Sequence, residues 1–230
     1  MRKRIFSILI AFVATMCMQT IMAQPKTIKV RFRGSSPNIN DFVTSYARAD
    51  TGNRDFATFA EEVVKGTHGY AYTKIVSDKK NGYASFEMES GKDNSVNKLE
   101  MCYWNCADKK TKIVAVNVLS LYGESIDECI ITFYRYDNAT RVMKKIKAPF
   151  DRKVRPVDFT NKDRTRPSRI EAAKTVRNED ANAWAPIFTL PQNGKDIEIT
   201  IADGSQLTLS ERQWIKYKWN GNGFRLTIVE

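Results

Sequence analysis

The sequence predicts a mainly β protein, a β-rich α+β fold of antiparallel meander sheets with an N-terminal amphipathic helix. Three observations predict it. Short runs rich in Val, Ile, Tyr, Phe and Trp recur along the chain between turn residues. Only one stretch has a clean helical period, and an Asn-Gly pair stands between two alternating runs. With 42% apolar and 11% aromatic residues, the chain has the composition of a globular protein rather than a disordered one.

Residues 1–23 read as a cleavable signal peptide. Arg2-Lys3-Arg4 precede an apolar run from Ile5 to Ala14, and Ile21-Met22-Ala23 close it ahead of Gln24, the expected start of the mature chain. An uncleaved anchor is the alternative, but a spanning helix needs about 20 predominantly apolar residues and this core is shorter. Cys17 raises lipidation as a second alternative; Met16 stands where bacterial lipoprotein signals carry a small residue. Nothing after residue 24 reaches spanning length, so no membrane span is expected after cleavage.

Thr27 to Arg33 alternates, with Ile28, Val30 and Phe32 on one face and Lys29, Arg31 and Arg33 on the other, which predicts a half-buried strand. A less regular helix is expected around Asn40 to Arg48. From Asp55 the period lengthens: Phe56, Phe59, Ala60, Val63 and Val64 form one helical stripe, with Asp55 as the expected N-cap and Gly66 just past the end. Tyr70 to Val76 and Tyr83 to Glu89 then flank Asn81-Gly82 as a hairpin. Strands are expected at 99–105, 113–121, 129–136, 197–201, 206–209, 214–219 and 224–229, and a short helix near 169–176. The chain thus divides into the leader, an N-terminal strand, helix and antiparallel β unit at 24–140, a basic Pro-containing connecting segment at 141–194, and a C-terminal β unit at 195–230 packed on the first.

An internal similarity bears on the architecture. Tyr103-Trp104-Asn105, a turn and Ile113 to Val118 parallel Tyr217-Lys218-Trp219-Asn220, a Gly-rich turn and Phe224 to Val229. Two related β units are one reading; aromatic strands ending at Asn-containing turns, common in any β protein, are the other. The segments Tyr134-Arg135-Tyr136-Asp137-Asn138-Ala139-Thr140 and Lys218-Trp219-Asn220-Gly221-Asn222-Gly223-Phe224 resemble hairpins of uncharacterised exported bacterial proteins, over the span from Asn81 to Glu230. That resemblance implies a bacterial envelope setting and no activity.

Catalytic signatures are absent from the sequence. His68 is the one histidine, which removes multi-histidine metal sites and weakens Ser-His and Cys-His schemes. Neither a metal nor a cofactor is expected. The pairs Glu61-Glu62, Asp127-Glu128 and Glu179-Asp180 are the carboxylates of note, but a hydrolytic pair is defined by separation across a cleft. Cys102, Cys106 and Cys129 remain once Cys17 leaves with the leader; Cys102 and Cys106 on one extended strand are too far apart to bridge each other.

Charge is the sharpest feature. Taking the leader's three cations from the net +11 leaves +8, and residues 141–169, with eleven Lys and Arg against three Asp, hold all of that excess. Arg141, Lys144, Lys145, Lys147, Arg152, Lys153, Arg155, Arg164, Arg166 and Arg169 are therefore the candidate anion-binding residues. Trp104, Tyr136 and Trp219 are candidate aromatic surface residues for stacking on a sugar or peptide. The expected function is that of an exported, periplasmic or extracellular, non-enzymatic binding module. Anionic envelope polysaccharide or lipid headgroups are the expected partners, and export disfavours nucleic acid. A hydrolase with a carboxylate active site and a structural or assembly protein are the alternatives.

Overall fold

The computed structural model describes residues 24–51, 54–66, 73–90, 95–122, 125–159, 186–201 and 214–229. The first β unit is a seven-stranded antiparallel sheet made of β1 (Thr27–Lys29), β2 (Thr73–Asp78), β3 (Tyr83–Ser90), β4 (Ser95–Asn105), β5 (Thr111–Tyr122), β6 (Ser125–Asp137) and β7 (Val142–Ile146). Strands β2 to β7 follow one another across it as a meander, and β1 pairs with β7 at the far edge. A second sheet is a four-stranded meander of β8 (Pro186–Thr189), β9 (Ile197–Ile201), β10 (Trp214–Trp219) and β11 (Phe224–Val229). Helices α1 (Ile39–Ala49) and α2 (Arg54–Lys65) complete the fold.

The period-two alternation of the long strands builds two cores, one on each face of the large sheet. Leu99 and Met101 of β4, Val114 and Val116 of β5, and Tyr134 and Tyr136 of β6 point to one face and meet Phe42 and Tyr46 of α1 and Phe59 and Val63 of α2. Their strand neighbours Cys102, Trp104, Ile113, Ala115 and Phe133 point to the other face and meet Ile199, Ile215, Tyr217 and Phe224 of the second sheet. The result is three layers: helices, large sheet, small sheet.

Helix α1 is better formed than its irregular pattern suggests because its start is closed on both sides. The Asn38 side-chain oxygen accepts the Asn40 N–H at 2.9 Å, and the Asp41 carboxylate accepts the Asn38 N–H at 2.8 Å, the reciprocal arrangement of a capping box. Strand β1 stops after Lys29, short of Arg33, because the chain turns toward this helix. The Arg31 N–H donates to Ser45 Oγ at 3.1 Å rather than to a neighbouring strand. Helix α2 begins at Arg54, which puts Asp55 in its first turn instead of at the cap.

The Asn81-Gly82 hairpin forms between β2 and β3 as expected. Gly82 sits at φ +71°, and a Cβ there would lie 2.8 Å from the Tyr103 ring, so only glycine fits without displacement. The expected connecting segment, by contrast, opens as strand β7, held between β1 and β6. It then runs beside β11: the Phe224 N–H donates to the Pro149 carbonyl at 2.8 Å and the Asp151 N–H to the Phe224 carbonyl at 2.9 Å. Phe150 stacks flat on Tyr217, ring centroids 3.8 Å apart. The strand expected at 206–209 and the helix at 169–176 lie outside the described residues.

Candidate functional site

The predicted basic residues that the structure describes, between Arg141 and Arg155, do not share one surface. Arg141 closes the β6–β7 turn at φ +57°, with its guanidinium over the Phe32 ring. Lys144 and Lys145 are neighbours on β7, so they point to opposite faces; Lys145 Nζ donates to Gln24 Oε1 at 2.8 Å. Lys147, Arg152, Lys153 and Arg155 are exposed along the segment that follows, while Arg164, Arg166 and Arg169 lie outside the described residues. Arg152 and Arg155 converge on Asp158. Arg152 makes two bonds to its carboxylate, at 2.7 and 2.9 Å, and Arg155 Nη2 lies 3.7 Å away. The bonds from Asp158 raise the pKa of the Arg152 guanidinium, so it stays a cation at every relevant pH.

Of the three aromatic candidates, only Trp219 reaches the surface. Tyr136 is fully buried, its ring edge-on to Phe42 at 5.1 Å beneath α1. Trp104 is 4% exposed and acts as a wall. It stacks on Trp219 with centroids 5.9 Å apart, and its Nε1–H donates to the Lys195 carbonyl at 2.8 Å. Aromatic residues near the ends of both hairpins thus pack between layers, and the half-buried Trp219 borders an opening together with Tyr103 and Trp104.

Another opening is built by the β10–β11 hairpin. The Asn220 side-chain oxygen accepts the N–H groups of Asn222 and Gly223 at 3.1 and 3.0 Å, which closes the turn. Gly223 must be glycine, since a Cβ would fall 2.7 Å from the Pro149 carbonyl oxygen. The turn is pinned to the large sheet by the Ala107 N–H, which donates to the Gly221 carbonyl at 2.8 Å. In this register Lys218 stands directly opposite Arg225. Like charges so placed repel, which costs a few tenths of a kcal/mol or more. Both side chains are exposed, and among the described residues neither has a carboxylate partner. They line a groove of 570 Å³ together with Arg152, Trp219 and Asn220.

A second feature went unpredicted. Glu100 is 1% exposed on the face of β4 toward the small sheet. Its carboxylate accepts from the Tyr83 hydroxyl at 2.8 Å, Lys98 Nζ at 3.0 Å, Asn117 Nδ2 at 3.0 Å and the Leu190 N–H at 3.3 Å. Asn117 Nδ2 also donates to the Phe188 carbonyl at 2.7 Å. The cluster therefore ties the large sheet to β8 and the residue after it. Its signal was present in the sequence: Glu100 between Leu99 and Met101, and Asn117 between Val116 and Val118, are polar residues at inward positions of apolar strands.

The three thiols are free; Cys102 and Cys106 are buried and Cys129 half-buried. Burial, with Glu100 nearby, raises the pKa of the Cys102 thiol and so opposes reactivity. Among the described residues no group of three or more His, Cys, Asp or Glu side chains suits a metal ion, and no helix is long and apolar enough to cross a membrane. His68 and the pair Glu179-Asp180 lie outside the described residues. No protein-family model, curated protein or solved structure matches the chain.

Proposed function

We propose that this chain is an exported, non-enzymatic binding module, periplasmic or extracellular, that holds an acidic polysaccharide in the groove lined by Lys218 and Arg225. The observation that carries the reading is the Lys218–Arg225 pair: two exposed cations directly opposite each other on the outward face of the β10–β11 hairpin, neither with a carboxylate partner among the described residues. An anion in the groove relieves the repulsion between them through charge-assisted hydrogen bonds. The leader-like character of residues 1–23 supports export.

The hydrolase alternative has less support. Among the described residues lining the groove there is no carboxylate, and Glu100 is sealed between layers with both oxygens engaged. Calorimetric titration of the purified protein with heparin at rising salt tests the proposal. Lys218→Gln with Arg225→Gln is expected to weaken binding by about tenfold, equivalent to about 1.4 kcal/mol, and to flatten the salt dependence. Lys144→Gln with Lys145→Gln is expected to change little. Equal losses in both double variants reduce the effect to net charge and refute a localised site.

A further inference from the structure

Sheet edges in natural proteins are usually short, covered or paired, because a free edge offers its backbone to another strand. Three of the four edge strands follow that rule. Strand β1 has only three residues. Along β8, the Pro186 carbonyl accepts from Cys129 Sγ at 3.3 Å and the Phe188 carbonyl from Asn117 Nδ2 at 2.7 Å, and the Leu190 N–H just beyond donates to Glu100. The start of β11 is covered by residues 149–151: Pro149 and Asp151 bond the Phe224 backbone, and the Asp151 carboxylate accepts the Leu226 N–H at 3.0 Å.

Strand β2 is the exception. It ends the seven-stranded order, runs for six residues as Thr-Lys-Ile-Val-Ser-Asp, and contains no proline. Among the described residues, the backbone from Lys74 to Ser77 pairs with β3 alone. Every second N–H and C=O along it therefore points away from the sheet with nothing to bond. We propose that two copies of this chain join there, β2 to β2, antiparallel about a two-fold axis, so that the two large sheets run on as one. The proposal is independent of the groove reading.

The charges of the strand select this partner. Lys74 and Asp78 stand two positions either side of Val76, on one face of the sheet. An antiparallel copy centred on Val76 sets each Lys74 opposite the other copy's Asp78, which is favourable. A parallel copy in register sets lysine against lysine and aspartate against aspartate, which is not. The Asp78 carboxylate is fixed at its end of the strand, since it accepts the Asn81 backbone N–H at 2.9 Å and Asn81 Nδ2 at 2.7 Å. Lys74 is exposed and free to reach it. The opposite edge, β1, is too short to receive β2 of a further copy, so the assembly closes at two instead of growing into a fibre.

Sedimentation equilibrium with amide exchange at matched concentrations tests the proposal. Wild type is expected to be a dimer at micromolar concentration, with every second amide of residues 74–77 protected in the dimer and released on dilution. Lys74→Glu faces the partner's Asp78 twice and is expected to raise the dimer dissociation constant by about tenfold. Lys74→Arg is expected to behave as wild type. Lys110→Glu, the same charge change in the exposed β4–β5 turn, is expected to leave the constant unchanged, and circular dichroism checks that each variant keeps the fold. A wild-type protein that stays monomeric up to millimolar concentration overturns the proposal. So does a dimer whose β2 amides exchange as fast as in the monomer, or one that Lys74→Glu weakens no more than Lys110→Glu does.

Discussion

The two faces of the seven-stranded sheet are closed in different ways. Rings meet rings on both: on the helix side Phe42 lies 5.3 Å from Tyr103 and 5.1 Å from Tyr136, and on the other Phe150 lies 3.8 Å from Tyr217. The small-sheet side differs in adding the buried Glu100 cluster to its apolar packing around Phe133 and Phe224. Nonpolar packing asks only for shape and volume, whereas a buried carboxylate demands specific donors. The helix face therefore reads as the stabilising side. The sheet face fixes one particular docking of the hairpin that presents Lys218, Trp219 and Arg225.

Substitutions on each face sharpen the contrast. Phe42→Ala, at a fully buried ring, is expected to cost about 3–5 kcal/mol in chemical denaturation, with heparin affinity of the folded protein unchanged. Glu100→Ala leaves the Tyr83 hydroxyl and the Leu190 N–H without their acceptor. It is expected to cost about 2–3 kcal/mol and, unlike Phe42→Ala, to speed amide exchange in β8 and β9 ahead of the large sheet. Uniform loss of protection across both sheets argues against Glu100 as the tie between them.

Alkaline and acid titrations probe further differences. Burial lifts the Tyr134 phenol on the helix face and the Tyr217 phenol on the sheet face from 10.0 to about 12. A folded pKa above the unfolded one contributes stability that is full below pH 10 and lost as pH rises from there toward 12. At the other end of the scale, Asp78, Asp108 and Asp137 accept turn N–H groups from Asn81, Thr111 and Thr140, which holds each below the ordinary 3.8. Their contribution is present above 3.8 and lost as pH falls below it. Melting temperature against pH is thus expected to fall at both extremes, and a Tyr134→Phe variant is expected to lose part of the alkaline drop. The smallest effect concerns thiols: under native conditions iodoacetamide is expected to label Cys129 before Cys102 or Cys106, as peptide mass mapping over time checks.

Much of this was legible because alternation and period report burial directly. Phe56, Phe59, Ala60 and Val63 are buried and gave α2, although Val64 of the same expected stripe is exposed, and the Asn81-Gly82 pair gave the first hairpin. What escaped depends on partners distant in sequence. Strand β7 has cations on both faces, since it lies beside the three-residue edge strand β1 and its lysines reach solvent, so no apolar pattern marked it. Phe150 looked like part of a solvated linker because its partners, Tyr217 and Phe224, come more than sixty residues later. The candidate site was half visible. Trp219 stood out as an aromatic at a hairpin end, but the same reasoning pointed to Tyr136, which α1 covers. Lys218 and Arg225 gained meaning only from the register that sets them opposite each other.

Binding local to the Lys218–Arg225 pair is tested most directly by amide chemical shifts during titration with a heparin tetrasaccharide. The backbone amides of residues 218–225 are expected to shift first and saturate together, while α1, α2 and β7 stay still. Shifts centred on Arg141, Lys144 and Lys145, or spread evenly over all exposed lysines, would contradict it.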